Sequence, residues 1–165
     1  MAAVRPGTLP DEALLRTYTR AGDFTDCYTT ELARSVSHAE FVEAFYSTPL
    51  FRLERWILAW AVAKPSTDAE VRELALAQRT TFAAWHVEAR ADNQLLVCDF
   101  RHSTRSWLMV VAGRDATRLY FGSAVVRVAN PANGAKRMTL GFRLLLGFHK
   151  LYSRALLTSA RRALS

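Results

Sequence analysis

The chain has 165 residues, half of them hydrophobic, which is the size of one domain with enough apolar side chains to fill a core. A formal charge of +7 would suit an anionic partner, but the arginines are spread along the whole length and only Lys136-Arg137 and Arg161-Arg162 are tight pairs. That distribution argues against nucleic acid as a partner, and the longest apolar run, Trp56 to Ala63, is too short to span a bilayer.

In chain order, Met1 to Leu9 reads as an arm containing Pro and Gly, and Pro10 to Arg20 carries a short helical pattern on Leu14, Leu15 and Tyr18 that Gly22 ends. Positions 1–22 are therefore expected to precede a single domain at 23–165. Asp23 to Leu32 alternates and is rich in Thr and aromatics, which predicts a first strand with Phe24, Asp26, Tyr28 and Thr30 on one parity.

Ser37-His38-Ala39-Glu40 and Thr67-Asp68-Ala69-Glu70 are capping boxes, each opening a helix by exchanging bonds between a hydroxyl, a carboxylate and first-turn amides. Between them Thr48-Pro49 restarts the first helix with proline in a tolerated first-turn position, and Leu53, Ile57 and Trp60 form an apolar stripe. The second capped helix is expected to run to about Gln78.

Asp92-Asn93 is a tight-turn pair joining strands at Phe82 to Ala91 and Gln94 to Arg101. An uninterrupted ladder from that turn sets Trp85 opposite Phe100, Val87 opposite Cys98 and Ala89 opposite Leu96, with this apolar set facing inward. His86 then meets Asp99 and Glu88 meets Val97 on the other face, where with Arg101 they read as a solvated charge ladder rather than an acid/base site. Ser106 to Ala112 and Thr117 to Val128 are two further strands joined at Gly113-Arg114-Asp115, and Gly122 in mid-strand suggests a bulge or bend. A loop at Asn130-Pro131-Ala132-Asn133-Gly134 leads to a final helix from Met138 to Ser165, whose first turns are too apolar to stand alone in water.

The order of strand, helices, strand meander and long C-terminal helix resembles the helix-grip fold of the START and Bet v 1-like superfamily from Asp23 to Ala163. Within it, Phe142 to Arg154, with Phe148-His149-Lys150-Leu151, resembles the closing helix of a bacterial family of domains of unknown function, with Gly147 where that helix carries proline. Members of that family can be fused to short-chain-dehydrogenase-like domains. The resemblance implies an α+β domain with a curved antiparallel β-sheet wrapped around the C-terminal helix and a ligand cavity between them. It implies no fixed catalytic set. A cystatin-like α+β cone is the alternative, but its chain normally ends on a strand.

The residues expected to line such a cavity are Trp85, Val87, Cys98, Phe100, Phe121 and Ser123 from the strands and Leu145, Phe148, His149 and Tyr152 from the helix. His149 shares a helix face with Phe142, Leu145, Tyr152 and Leu156, so it and Tyr152 are the candidate catalytic pair, although a lone His on an apolar face is more often structural. Cys98 reads as a small core hydrophobe without a basic neighbour, and His102 as an exposed turn residue. Cys27 and Cys98 show neither a CxxC pair nor metal-ligand spacing, so reduced thiols, a cytoplasmic location, no metal and no cofactor are expected.

Binding of a lipid, polyketide or similar apolar small molecule is the leading functional expectation. A cyclase, dehydratase or isomerase using the same cavity is the second, and a partner-docking domain with a filled core is the third.

Overall fold

The computed structural model describes residues 3–62, 65–126 and 140–165, with side chains for all of these except 54, 57–62 and 140–149. Among the described residues, seven strands and five helices follow in the order β1 (Arg5–Pro6), α1 (Arg16–Arg20), β2 (Phe24–Leu32), α2 (His38–Tyr46), α3 (Pro49–Val62), α4 (Asp68–Ala75), β3 (Thr81–Phe82), β4 (Trp85–Ala91), β5 (Gln94–Asp99), β6 (Thr104–Ala112), β7 (Thr117–Val125) and α5 (Leu140–Leu164). The strands form one curled antiparallel sheet ordered β1-β2-β7-β6-β5-β4-β3. The first long strand thus lies beside the last, which is how a meander returns to its origin while a helical insertion crosses one face. The chain is α+β, with α5 packed against α2, β2 and β7 in a helix-grip arrangement.

Both capping boxes form as their chemistry requires. Ser37 Oγ accepts from the Glu40 amide at 3.2 Å and Glu40 accepts from the Ser37 amide at 2.7 Å, and Thr67 and Glu70 make the same exchange at 3.2 and 2.8 Å. Thr48 Oγ1 accepts from the Phe51 amide at 3.2 Å, which caps the restarted helix ahead of Pro49. Arg55 ties α3 to the start of α4 through Asp68 at 2.7 Å and the Ser66 carbonyl at 2.7 Å.

Each face of the sheet has its own core. The helix-covered inner face packs Tyr28, Leu95, Val97, Leu108, Leu119 and Phe121 against side chains of α2, α4 and α5. The outer face packs Cys27, Leu96, Trp107, Met109, Tyr120 and Ala124 under Ala13 and Leu15 of the N-terminal segment. That segment is thereby part of the packed structure, and Arg5–Pro6 extends the sheet by pairing with Thr29 and Tyr28.

One buried amide joins the outer core together. Gln94 Oε1 accepts from the Leu14 amide and from Trp107 Nε1, each at 2.9 Å, while its Nε2 donates to the Glu12 carbonyl at 3.1 Å. Gln94→Leu keeps a similar volume but orphans the buried Trp107 indole N–H and the part-buried Leu14 amide, so it should cost about 2–3 kcal/mol. Urea unfolding followed by Trp107 fluorescence checks this, and an unchanged midpoint would show the network to be dispensable.

Several expectations need correction. The helix of Pro10 to Arg20 is regular only from Arg16 to Arg20, with turns before it, and Gly22 at φ +77° ends it in the left-handed region where glycine is least strained. The helix opened by Thr67 closes at Ala75 rather than Gln78. In α3, Leu53 and Trp56 are 54% and 60% exposed, so Leu53 is not part of a buried stripe, and the side chains of Ile57 and Trp60 lie outside the described residues. Gly122 pairs with Cys27 and Trp107 without a bulge. A Cβ there would lie 2.8 Å from both the Asp26 carbonyl and Leu15 Cδ2, so close approach rather than bending demands glycine. The Asn130 to Gly134 loop lies outside the described residues.

The register of the β4–β5 hairpin differs most consequentially. Ala91 pairs with Gln94 across Asp92-Asn93 as expected, and Ala89 with Leu96, but Glu88 is an extra residue and the ladder then slips by one. Beyond the bulge Val87 pairs with Val97, His86 with Cys98 and Trp85 with Asp99. Ala89, Leu96 and Cys98 therefore lie on the outer face, not the inner one. Phe100 has left the ladder and is 42% exposed.

Candidate functional site

Five strands place one row of side chains across the inner face, in the order Val87, Val97, Ser106, Ser123 and Asp26. Its second half is polar. Ser123 donates its hydroxyl to Asp26 Oδ1 at 2.5 Å and its amide to the same oxygen at 3.0 Å, and Ser106 lies 3.5 Å from the Tyr46 hydroxyl of α2. The adjoining row, Leu95, Leu108, Phe121 and Tyr28, is an apolar wall. Burial raises the Tyr28 pKa, with the Asp26 charge adding to it.

Trp85, Val87, Phe121, Ser123 and Tyr152 all lie at this inner core or in its polar row. Trp85 and Tyr152 are half-buried, and the Trp85 indole N–H is enclosed without a hydrogen-bond partner among the described residues. The Ser153 hydroxyl on α5 is likewise buried and has no partner among the described residues. A buried donor without a partner costs about 1–3 kcal/mol, so its retention needs a reason. Leu145, Phe148 and His149 belong to α5 by backbone, but their side chains lie outside the described residues. Asp26 and Ser106 were the inner polar residues that sequence reasoning passed over. Asp26 shares strand parity with Tyr28, which was the available signal.

The bulge assembles a second group on the outer face. With Glu88 inserted, His86, Cys98 and Arg105 form a cross-strand row, and Glu88 points to the same side. Arg105 Nε donates to Glu88 at 2.9 Å and to the Tyr18 hydroxyl at 2.7 Å, the Tyr18 hydroxyl donates to Glu88, and the guanidinium lies over the Tyr18 ring. His102, in the β5–β6 turn at φ +56°, comes within 3.5 Å of Cys98 Sγ through Nδ1 and within 5.1 Å of the His86 ring centre.

Asp99 holds that turn. Its carboxylate accepts from the Ser103 and Thr104 amides at 2.7 and 2.8 Å and from the Ser103 hydroxyl at 3.0 Å. Burial alone would raise the Asp99 pKa, but these bonds outweigh it and hold the carboxyl below its usual range. The sequence-based ladder of His86, Glu88, Asp99 and Arg101 is thus broken up: Asp99 caps a turn, Arg101 lies against Phe100, and Glu88 pairs with Arg105. Burial pushes the Cys98 thiol up to about 11, against the pull of Arg105, so a free thiolate nucleophile is disfavoured at neutral pH.

No family model matches the chain, and no curated protein matches it. Among solved structures it is similar to the solution NMR structure of CalU16 from Micromonospora echinospora, with 12% identity and a TM-score of 0.42 over 99% of this chain and 74% of that one. The fold assignment rests on the strand order and the position of α5. No helix among the described residues is long and apolar enough to cross a membrane. Open surface clefts of about 510 and 420 Å³ lie along β1 and beside Leu164, and neither is lined by the inner polar row.

Proposed function

We propose that the protein binds an apolar small molecule between the inner face of the sheet and the N-terminal half of α5, as a member of the helix-grip superfamily. The observation that carries this reading is the Ser106–Ser123–Asp26 row, a few polar groups set in an apolar, aromatic wall. A ligand pocket is built in this way, with apolar surface for affinity and a few polar atoms to fix orientation.

The course of α5 supports the location. Arg34 Nε donates to the Leu164 carbonyl at 2.8 Å just beyond the end of β2, while Arg154 acts electrostatically on Tyr28. The ten residues from Arg154 to Leu164 rise about 15 Å and the six from Tyr28 to Arg34 span at most about 20 Å, so α5 and β2 advance in the same direction. On that course the N-terminal half of α5 would pass over the level of Asp26 and Ser123.

Native mass spectrometry of the purified protein, before and after denaturation, tests the proposal. A non-covalent mass that denaturation releases is expected, as is saturable binding of anilinonaphthalene sulfonate competed by apolar metabolites. Ser123→Leu, which fills the polar row, should weaken probe binding about tenfold, because the pocket loses both volume and a hydroxyl. Protein that carries nothing and gives no saturable probe signal would refute a cavity and leave a filled-core domain.

A further inference from the structure

The outer-face group has the composition and spacing of a metal centre. His86, Cys98 and His102 each offer one ligand atom, and these atoms all lie within 4.8 Å of one another. In a tetrahedral zinc site, bonds of about 2.0–2.1 Å to nitrogen and about 2.3 Å to sulfur separate the two ligand atoms by about 3.6 Å. Cys98 Sγ and His102 Nδ1 are 3.5 Å apart. The His86 ligand atom lies within 4.8 Å of the other two, so rotation of its half-buried ring would bring it to bonding distance of a shared ion.

We propose that His86, Cys98 and His102 bind a zinc-type transition-metal ion on the outer face, with the fourth position open to solvent beside the exposed His102. One thiolate and two imidazoles select a borderline ion over magnesium or calcium, which prefer oxygen ligands. Binding exchanges the thiol proton for the metal, and the proton passes to solvent. Oxidation states do not change.

The surroundings suit a cation. Arg105 is the nearby positive charge, but Glu88 neutralises it at 2.9 Å, and Arg105 also donates to the His102 carbonyl at 2.7 Å. His102 is therefore held from two sides, by this bond and by the turn that Asp99 caps. A non-glycine residue at φ +56° is a sparsely occupied conformation that native structures keep mainly where surroundings dictate it. Here it turns the imidazole back over Cys98.

Cobalt(II) titration of the metal-free full-length chain is the test. One equivalent should produce a near-ultraviolet thiolate-to-cobalt charge-transfer band together with visible bands of tetrahedral cobalt, and zinc should displace it. Cys98→Ser should remove the charge-transfer band, whereas Cys27→Ser should retain it. His102→Asn should lower affinity about 100-fold or more. Asparagine tolerates the left-handed conformation, so this variant is expected to fold, and circular dichroism verifies that it does. Absence of the bands in the wild type, their persistence in Cys98→Ser, or wild-type affinity in a folded His102→Asn protein would each overturn the site.

Discussion

Phe45→Ala is expected to lower stability by about 3–5 kcal/mol, the usual cost of removing a large aromatic side chain from a closed core. Phe45 is 1% exposed and lies at the meeting point of the inner-face layers. Its ring centre is 4.8 Å from Phe121 on β7, 5.2 Å from Tyr46, 6.1 Å from Phe41 and 6.2 Å from Phe51 at the start of α3. Removing it leaves a cavity that helix α2 cannot collapse into without breaking the Tyr46 and Phe41 contacts. At roughly 2–4 °C per kcal/mol for a chain of this size, the thermal midpoint should fall by about 6–20 °C. Phe45→Leu retains most of the volume and should cost less than half as much. Urea unfolding followed by circular dichroism measures both, and a loss below about 1 kcal/mol for the alanine variant would mean that the aromatic cluster is loosely packed. Because Phe45 and Phe121 back the wall beside the polar row, the alanine variant should also alter probe binding.

The elements were legible where local chemistry determines them. Two hydroxyl-carboxylate boxes opened α2 and α4, Asp92-Asn93 turned the hairpin, and a long amphipathic run became α5. What could not be read was the extra residue at Glu88. A single bulge reverses which face every later side chain occupies, and nothing in Val87-Glu88-Ala89 distinguishes a bulged strand from a regular one. The inward placement of Cys98 and Phe100 failed for this reason, whereas Phe121 and Ser123, on an unbulged strand, kept the face that alternation gives them.

The same slip explains why the metal-like group was invisible in the sequence. His86, Cys98 and His102 have no recognisable spacing along the chain. They meet because the hairpin brings positions 86 and 98 together, the bulge puts both on the outer face, and the Asp99-capped turn folds His102 back over them. Three-dimensional features of this kind depend on pairings far apart in sequence. The inner polar row is similar, since Ser106, Ser123 and Asp26 are each ordinary strand residues until their strands are ordered.

Lowering the pH should destabilise the protein before its carboxylates begin to protonate, and His38 is the expected cause. This residue opens α2 with one ring nitrogen donating to the Leu108 carbonyl and with Nε2 buried and without a partner among the described residues. Burial, reinforced by the nearby Arg90 charge and opposed by the Leu108 bond, lowers its pKa from 6.5 to about 4. The helix N-terminus acts in the same direction. The unfolded chain therefore binds a proton that the folded chain refuses between those two values. Stability is fully present above pH 6.5 and falls as the pH drops toward 4, by on the order of 2–3 kcal/mol once partial solvent screening is allowed for. Glu40, Asp68 and Asp99 have lowered pKa values, so their contributions are lost only at about pH 4.5 and below. His38→Gln retains an amide donor for Leu108 but does not titrate, and should flatten the profile between about pH 6.5 and 5. Urea midpoints measured across that range in a chelator, which keeps His86 and His102 free of metal, provide the comparison. Equal slopes in wild type and variant would rule out His38 as the group responsible.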